Sequence, residues 1–227
     1  MKLSEVKASY TKQKKEDGKK DPWANYIARP LSFYPAWLCI KLGITANQVT
    51  ILGLLMGLIG CAYLGFGEFI VGAILINLYG LADYIDGAIA RATHTESNRG
   101  NILDGASYLL IASLLPIALG IGLYFNTETI LTLPLILYLI LGVIGAHSRI
   151  QRYALTYQAQ LPSEPSTGKR GILDLPIKVG MILLTLREPL LLICAITKSL
   201  DLFLILFALL GTLELSVILI KLFRTKG

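Results

Sequence analysis

Between Leu81 and Leu109 the chain reads LADYIDGAIARATHTESNRGNILDGASYL. Asp83 and Asp86 stand three apart, so on a helix both carboxylates share a face. Gly87 and Ala90 continue that face by one turn, and Arg91 is the next residue. After a polar stretch, Gly100 precedes Asp104 by four. Three converging carboxylates suit a hard divalent cation such as Mg2+ or Mn2+. Gly87 and Ala90 leave room for a ligand to approach the backbone, and Arg91 could grip a phosphate through paired hydrogen bonds. The chemistry expected is a metal and phosphate site. The competing reading is that these charges cap helix ends and pair with Arg91 and Arg99, a role that does not require such spacing.

The elements that must hold these residues are long and apolar. Of 227 residues, 54% are hydrophobic, and mean hydropathy is +0.63. The apolar residues fall in blocks near the ~20 residues that cross bilayer hydrocarbon as a helix. Six spans are predicted, at about 47–66, 69–91, 102–124, 130–148, 179–198 and 202–221. Thr45 or Asn47 offers an N-cap to the first. The fold class expected is an all-α polytopic membrane protein with an N-terminal interfacial amphipathic segment. Three parts are expected: a polar, flexible basic tail over 1–21, an interfacial segment over 22–44, and a six-helix transmembrane domain over 45–227. Pro30 and Pro35 should limit the interfacial segment to short helices, while Trp23, Tyr26, Tyr34 and Trp37 beside Arg29 and Lys41 suit the headgroup zone.

Net charge is +6, from 21 Lys and Arg against 15 Asp and Glu. These cations flank apolar blocks, which points to membrane topology and not to nucleic acid. With six spans, all but Arg187 and Lys198 fall on one side, so both termini and the aspartates are expected on the cytoplasmic face of the cell (inner) membrane. Lys12, Lys14, Lys15, Lys19 and Lys20 precede the first span and would set orientation or attract anionic lipid. The first 21 residues hold no apolar stretch of a secretory signal. Cys39, Cys61 and Cys194 form no CxxC pair and read as small buried residues.

At the aspartates the chain resembles the CDP-alcohol phosphotransferase family, whose signature is D-x2-D-G-x2-A-R-x8-G-x3-D-x3-D. Asp83, Asp86, Gly87, Ala90, Arg91, Gly100 and Asp104 occupy that register, and the last position is Tyr108 instead of aspartate. The resemblance extends to the T-A-N-Q-V-T segment, Thr45 to Thr50, and to the six-span layout. It implies that two metals held by Asp83, Asp86 and Asp104 bind the pyrophosphate of a CDP-linked lipid. An alcohol acceptor then attacks the phosphorus next to the lipid, and CMP leaves. It also implies that Gly87, Arg91 and the Ser97 hydroxyl contact the CDP part, with Asn47 approaching from the first span, and that the protein pairs as a homodimer.

In the family the last aspartate is a metal ligand and general base. Tyr108 lies four residues after Asp104 and should face the same site. A phenol titrates near pH 10 and is a poor base at neutrality. Three readings stay open: Tyr108 acts as a metal-assisted phenolate or hydrogen-bonds the acceptor; another group, His94, Glu96 or Glu214, is the base; or the protein is an impaired homologue that binds a CDP-lipid or regulates a partner. Arg187 and Glu188 beside Pro189, and Glu214 in the last span, either line an acceptor pocket or pair between helices. Arg149, Arg152, Lys169 and Arg170 would bind a phosphorylated acceptor or serve topology alone. A small transporter would also carry intramembrane charges, but it would not need the signature register.

Overall fold

The computed structural model describes residues 1–10, 23–126, 130–131, 133–158 and 186–224, and every regular element among them is helical. The lysine cluster from Lys12 to Lys20, the segment with Pro162, Pro165, Gly168, Lys169 and Arg170, and residues 179–185 of the fifth apolar block lie outside the described residues. The helices are α1 (Leu3–Ala8), α2 (Arg29–Lys41, entered through a π-helical turn, Ala24–Ala28), α3 (Ala46–Gly65), α4 (Phe69–Thr93), α5 (Asn98–Phe125), α6 (Leu135–Gln158), α7 (Arg187–Ile196) and α8 (Leu200–Arg224).

Among the described residues, four stretches are long and apolar enough to cross a membrane: α3, α4, α5 and the Leu200–Ile220 part of α8. Their outward side chains are apolar, as with Ile51, Leu52, Leu55 and Ile59 on α3 and Leu202, Leu206, Leu209 and Leu213 on α8. Such faces are stable against acyl chains and costly against water. The 24-residue α6 has the length, but its second half carries His147, Arg149, Gln151 and Arg152. The described part of the fifth block is the ten-residue α7.

The residues group into two compact units, Met1–Gly60 with Ile74–Tyr108, and Cys61–Ala73 with Leu109–Gly227. In the first unit, α1 replaces the start of the expected flexible tail. The Glu5 carboxylate accepts the Lys2 backbone N–H at 2.8 Å, and Trp37 Nε1 donates to the Met1 carbonyl at 3.3 Å. Val6, fully buried, enters a cluster with Ala36, Val49, Ala82, Ala88, Ile89 and Ala92. Val6 and the buried Tyr10, whose ring packs against Phe33, thus tie the segment to α2. The two prolines also interrupt less than expected. Pro30 sits in the first turn of α2, where no N–H is required. The preceding turn is widened, with the Arg29 N–H bonded to the Ala24 carbonyl, and α2 continues through Pro35 for 13 residues.

Capping fixes the register of α3 and α5. Thr45, not Asn47, caps α3: its N–H donates to Gln48 Oε1 at 2.8 Å, and the Gln48 N–H returns to Thr45 Oγ1 at 3.4 Å. α4 ends at His94, which takes φ 55°, while the Thr95 N–H donates to the Ala90 carbonyl at 2.9 Å. Ser97 Oγ then accepts the Gly100 N–H at 3.1 Å and caps α5. The polar stretch 92–101 is therefore mostly helical, and Gly100 lies in the first turn of α5.

In the second unit α5 and α6 approach closely. A Cβ on Gly120 would stand 2.5 Å from the Tyr138 carbonyl oxygen, and one on Gly142 would stand 2.6 Å from that of Pro116. Small residues permit this approach, as is usual between membrane helices. Gly142→Val should lower the thermal midpoint in detergent by about 5 °C or more, because a backbone oxygen cannot yield. Val143→Ala, at a 58% exposed neighbour, should move it by only about 1 °C. Equal shifts in a fluorescence melt would show that this contact is not tight.

Candidate active site

A cavity of about 270 Å3 in the first unit collects the residues singled out above. α3 supplies Asn47 and Thr50; α4 supplies Asp83, Asp86, Gly87, Ala90 and Arg91; α5 supplies Gly100 and Asp104, with Ser97 at its cap. The three aspartates expected to hold metal and the residues expected to contact the CDP part, Asn47, Gly87, Arg91 and Ser97, all lie on this wall. Asp83 and Asp104 are exposed and Asp86 is buried.

Asp86 is held by a contact the sequence did not reveal. Thr50 Oγ1 donates to Asp86 Oδ2 at 2.5 Å. The helices can approach that far because a Cβ on Gly53 would fall 2.8 Å from Ala82 Cβ, one turn away along both helices. An oriented, hydrogen-bonded carboxylate is what a metal ligand requires of its surroundings. The T-A-N-Q-V-T segment contained the threonine, but nothing in spacing alone paired it with Asp86.

Two glycines serve close approaches. A Cβ on Gly87 would meet Arg91 Nη1 at 3.0 Å, so the space above Gly87 is taken by the guanidinium and not left open to a ligand. A Cβ on Gly100 would stand 3.3 Å from Ser97 Oγ and 3.4 Å from Asn47 Oδ1, which brings the first-span asparagine to the start of α5. Ser97 has a structural duty as helix cap, with its hydroxyl proton still available for donation.

Carboxylate oxygens are the right donors for Mg2+ or Mn2+, and the three aspartates line one cavity together with Glu96. The convergence expected from the spacing is only partial. Among the described residues, no three His, Cys, Asp or Glu side chains are drawn close enough to form a metal-holding set. The donor set fits in kind and location, and Asp83, Asp86 and Asp104 are the residues that would hold the ion.

Tyr108 lies one turn beyond Asp104 on α5. It is 39% exposed and is not among the residues lining the cavity. Four residues along a helix advance about 6 Å and about 40°. Of the other proposed bases, Glu96 lines both the aspartate cavity and a neighbouring one, and His94 lines the neighbouring one with Met1, Glu5 and Ser9.

The sequence profile of the CDP-alcohol phosphatidyltransferase family matches residues 43–220. The chain belongs to that family. Archaetidylinositol phosphate synthase of Pyrococcus horikoshii is 42% identical over 95 residues, which are 41% of this chain and 50% of that protein. The chain thus matches about half the length of this curated relative. Its fold is similar to that of phosphatidylinositol phosphate synthase of Mycobacterium tuberculosis. The apo structure of that protein gives a TM-score of 0.59 at 19% identity, covering 83% of this chain and 94% of that one. Its complex with CDP-DAG gives 0.57 at 21%, covering 85% and 92%, and its complex with manganese and citrate gives 0.56 at 19%, covering 85% and 87%.

Of the other charges singled out above, Arg149, Arg152, Arg187, Glu188 and Glu214 belong to the second unit of this family member, and they pair. Glu214, fully buried, accepts from Arg152 Nη1 at 3.0 Å and Arg149 Nη1 at 3.4 Å, and the Arg149 guanidinium lies 4.3 Å from the Phe207 ring centroid. Two arginines thus hold Glu214, which is the pairing between helices that was the alternative to an acceptor pocket. Arg187 bonds its neighbour Glu188, and Pro189 lies in the first turn of α7 and not in mid-helix.

Proposed function

We propose that this protein is a membrane CDP-alcohol phosphotransferase of phospholipid synthesis. It takes a phosphatidyl-type group from a CDP-linked lipid, passes it to an alcohol, and releases CMP. The observation that carries this reading is the single cavity containing Asp83, Asp86, Arg91, Gly100 and Asp104 in the family's register. The acceptor oxygen forms a bond to the lipid-side phosphorus, the bond from that phosphorus to the CMP oxygen breaks, and the hydroxyl proton passes to a base. Asp83, Asp86 and Asp104 hold Mg2+ or Mn2+, whose chemistry is to neutralise charge on the phosphoryl oxygens. Arg91 orients the diphosphate, and Asn47 and Ser97 position the cytidine end. Glu96 accepts the proton, since it lies on the cavity wall and Tyr108 does not.

The name of the Pyrococcus relative makes a phosphorylated inositol the first acceptor to test. The proposed topology is six spans with both termini and the cavity at the cytoplasmic face of the cell membrane. It is supported by four qualifying helices, by the length of α6, and by the one-sided placement of Lys and Arg.

Purified protein given CDP-diacylglycerol or an ether-linked CDP-lipid, inositol phosphate and Mg2+ or Mn2+ should release CMP, and a chelator should stop it. A second reading, an impaired homologue that binds CDP-lipid, is favoured by one observation, the tyrosine at position 108. It predicts no CMP from the wild type and a gain of turnover in Tyr108→Asp.

A further inference from the structure

The cavity has a wall that precedes the family match at residues 43–220: Tyr10, from the turn after α1, and Arg29, at the start of α2. The two are locked together. Arg29 Nη1 donates to Tyr10 Oη, and the guanidinium carbon lies 5.0 Å from the Tyr10 ring centroid. Tyr10 is itself fixed: it is only 8% exposed, its hydroxyl lies 3.5 Å from Asn25 Oδ1, and its ring packs against Phe33 with centroids 6.3 Å apart. A half-buried guanidinium whose rotamer is set by a buried aromatic gives up little conformational freedom on binding an anion.

Charge gives that guanidinium a use. Asp83, Asp86, Glu96 and Asp104 bring four negative charges to the cavity, and Arg29 and Arg91 bring two positive ones, a net of minus two. Bound divalent cations reverse that sign and make the cavity attractive to phosphate. Arg91 and Arg29 come from different helices, so they can grip an anion from two directions.

We infer that Arg29, held by Tyr10, is a second phosphate-binding residue that the N-terminal segment contributes to the substrate cavity. Its ligand is a phosphoryl oxygen, either of the donor diphosphate or of a phosphorylated acceptor. This rests on the phosphotransferase reading above. Tyr10 is a positioning residue, and Arg29 touches substrate.

The test uses full-length protein in detergent–lipid micelles with Mg2+, CDP-diacylglycerol and inositol phosphate. Arg29→Gln should raise one KM by at least about tenfold, the loss expected for a charge-assisted hydrogen bond. A rise for CDP-diacylglycerol, matched by weaker direct binding of that lipid, assigns the donor; a rise for inositol phosphate assigns the acceptor. Arg29→Lys should recover part of the loss, and Tyr10→Phe should raise the same KM about threefold with kcat and the thermal midpoint unchanged. If Arg29→Gln does not fold, Arg29→Lys and Tyr10→Phe give the same readout. Both KM values within twofold of wild type in every variant, or a fall in kcat alone, would overturn the assignment of Arg29. Wild-type protein that neither binds CDP-diacylglycerol nor releases CMP would overturn the phosphotransferase reading itself, and the Arg29 inference with it.

Discussion

Asp86→Asn should lower CMP release by about 1,000-fold or more while leaving the protein folded. Asparagine keeps the volume of this buried side chain and can still accept the Thr50 hydroxyl, now 2.5 Å from the carboxylate. It removes the charge that a divalent cation requires. A metal stabilises the developing phosphoryl charge by several kcal/mol, and about 4 kcal/mol corresponds to ~1,000-fold. Thr50→Val leaves the ligand but removes its orienting donor, so a smaller loss of about tenfold is expected, partly recovered at high Mg2+. Steady-state kinetics with a thermal melt of each variant checks both. A Thr50→Val loss that high Mg2+ does not relieve would place the hydroxyl in packing alone.

Glu96→Gln should lower kcat by about 100-fold with little change in KM, the usual cost of a missing general base. Tyr108→Phe should leave kcat within about threefold, because the ring is exposed and is not among the residues lining the cavity, whereas Glu96 is. The pair is read together. A 100-fold loss in Tyr108→Phe with little change in Glu96→Gln would give the proton to the tyrosine and show that its ring turns inward when substrate binds.

The aspartates were legible because helix geometry converts spacing directly into direction: three and four residues apart mean the same face. The capping of α3 was legible in part, since Thr45 and Gln48 form a local pair. Contacts between distant segments were not. Thr50 meets Asp86 only because Gly53 admits Ala82, and Tyr10 meets Arg29 across a gap of 19 residues. Local rules also failed where tertiary contacts outweighed them. The polar run at the start of the chain folds as α1 because Val6 has a core to enter, and α2 passes Pro35 because the rest of its turns keep their hydrogen bonds. Tyr108 takes the last position of the signature register, and the α5 residues that line the cavity are Gly100, Asn101 and Asp104.

Spacing predicted that the three aspartates would share an ion, and the side chains line one cavity without being drawn together. Anomalous scattering from crystals grown with Mn2+ and a CDP-lipid locates that ion directly. Manganese peaks are expected within ~2.2 Å of carboxylate oxygens of Asp83, Asp86 and Asp104, beside the diphosphate. Peaks lying elsewhere, or a lipid diphosphate bound in this cavity with no metal beside it, would contradict this assignment.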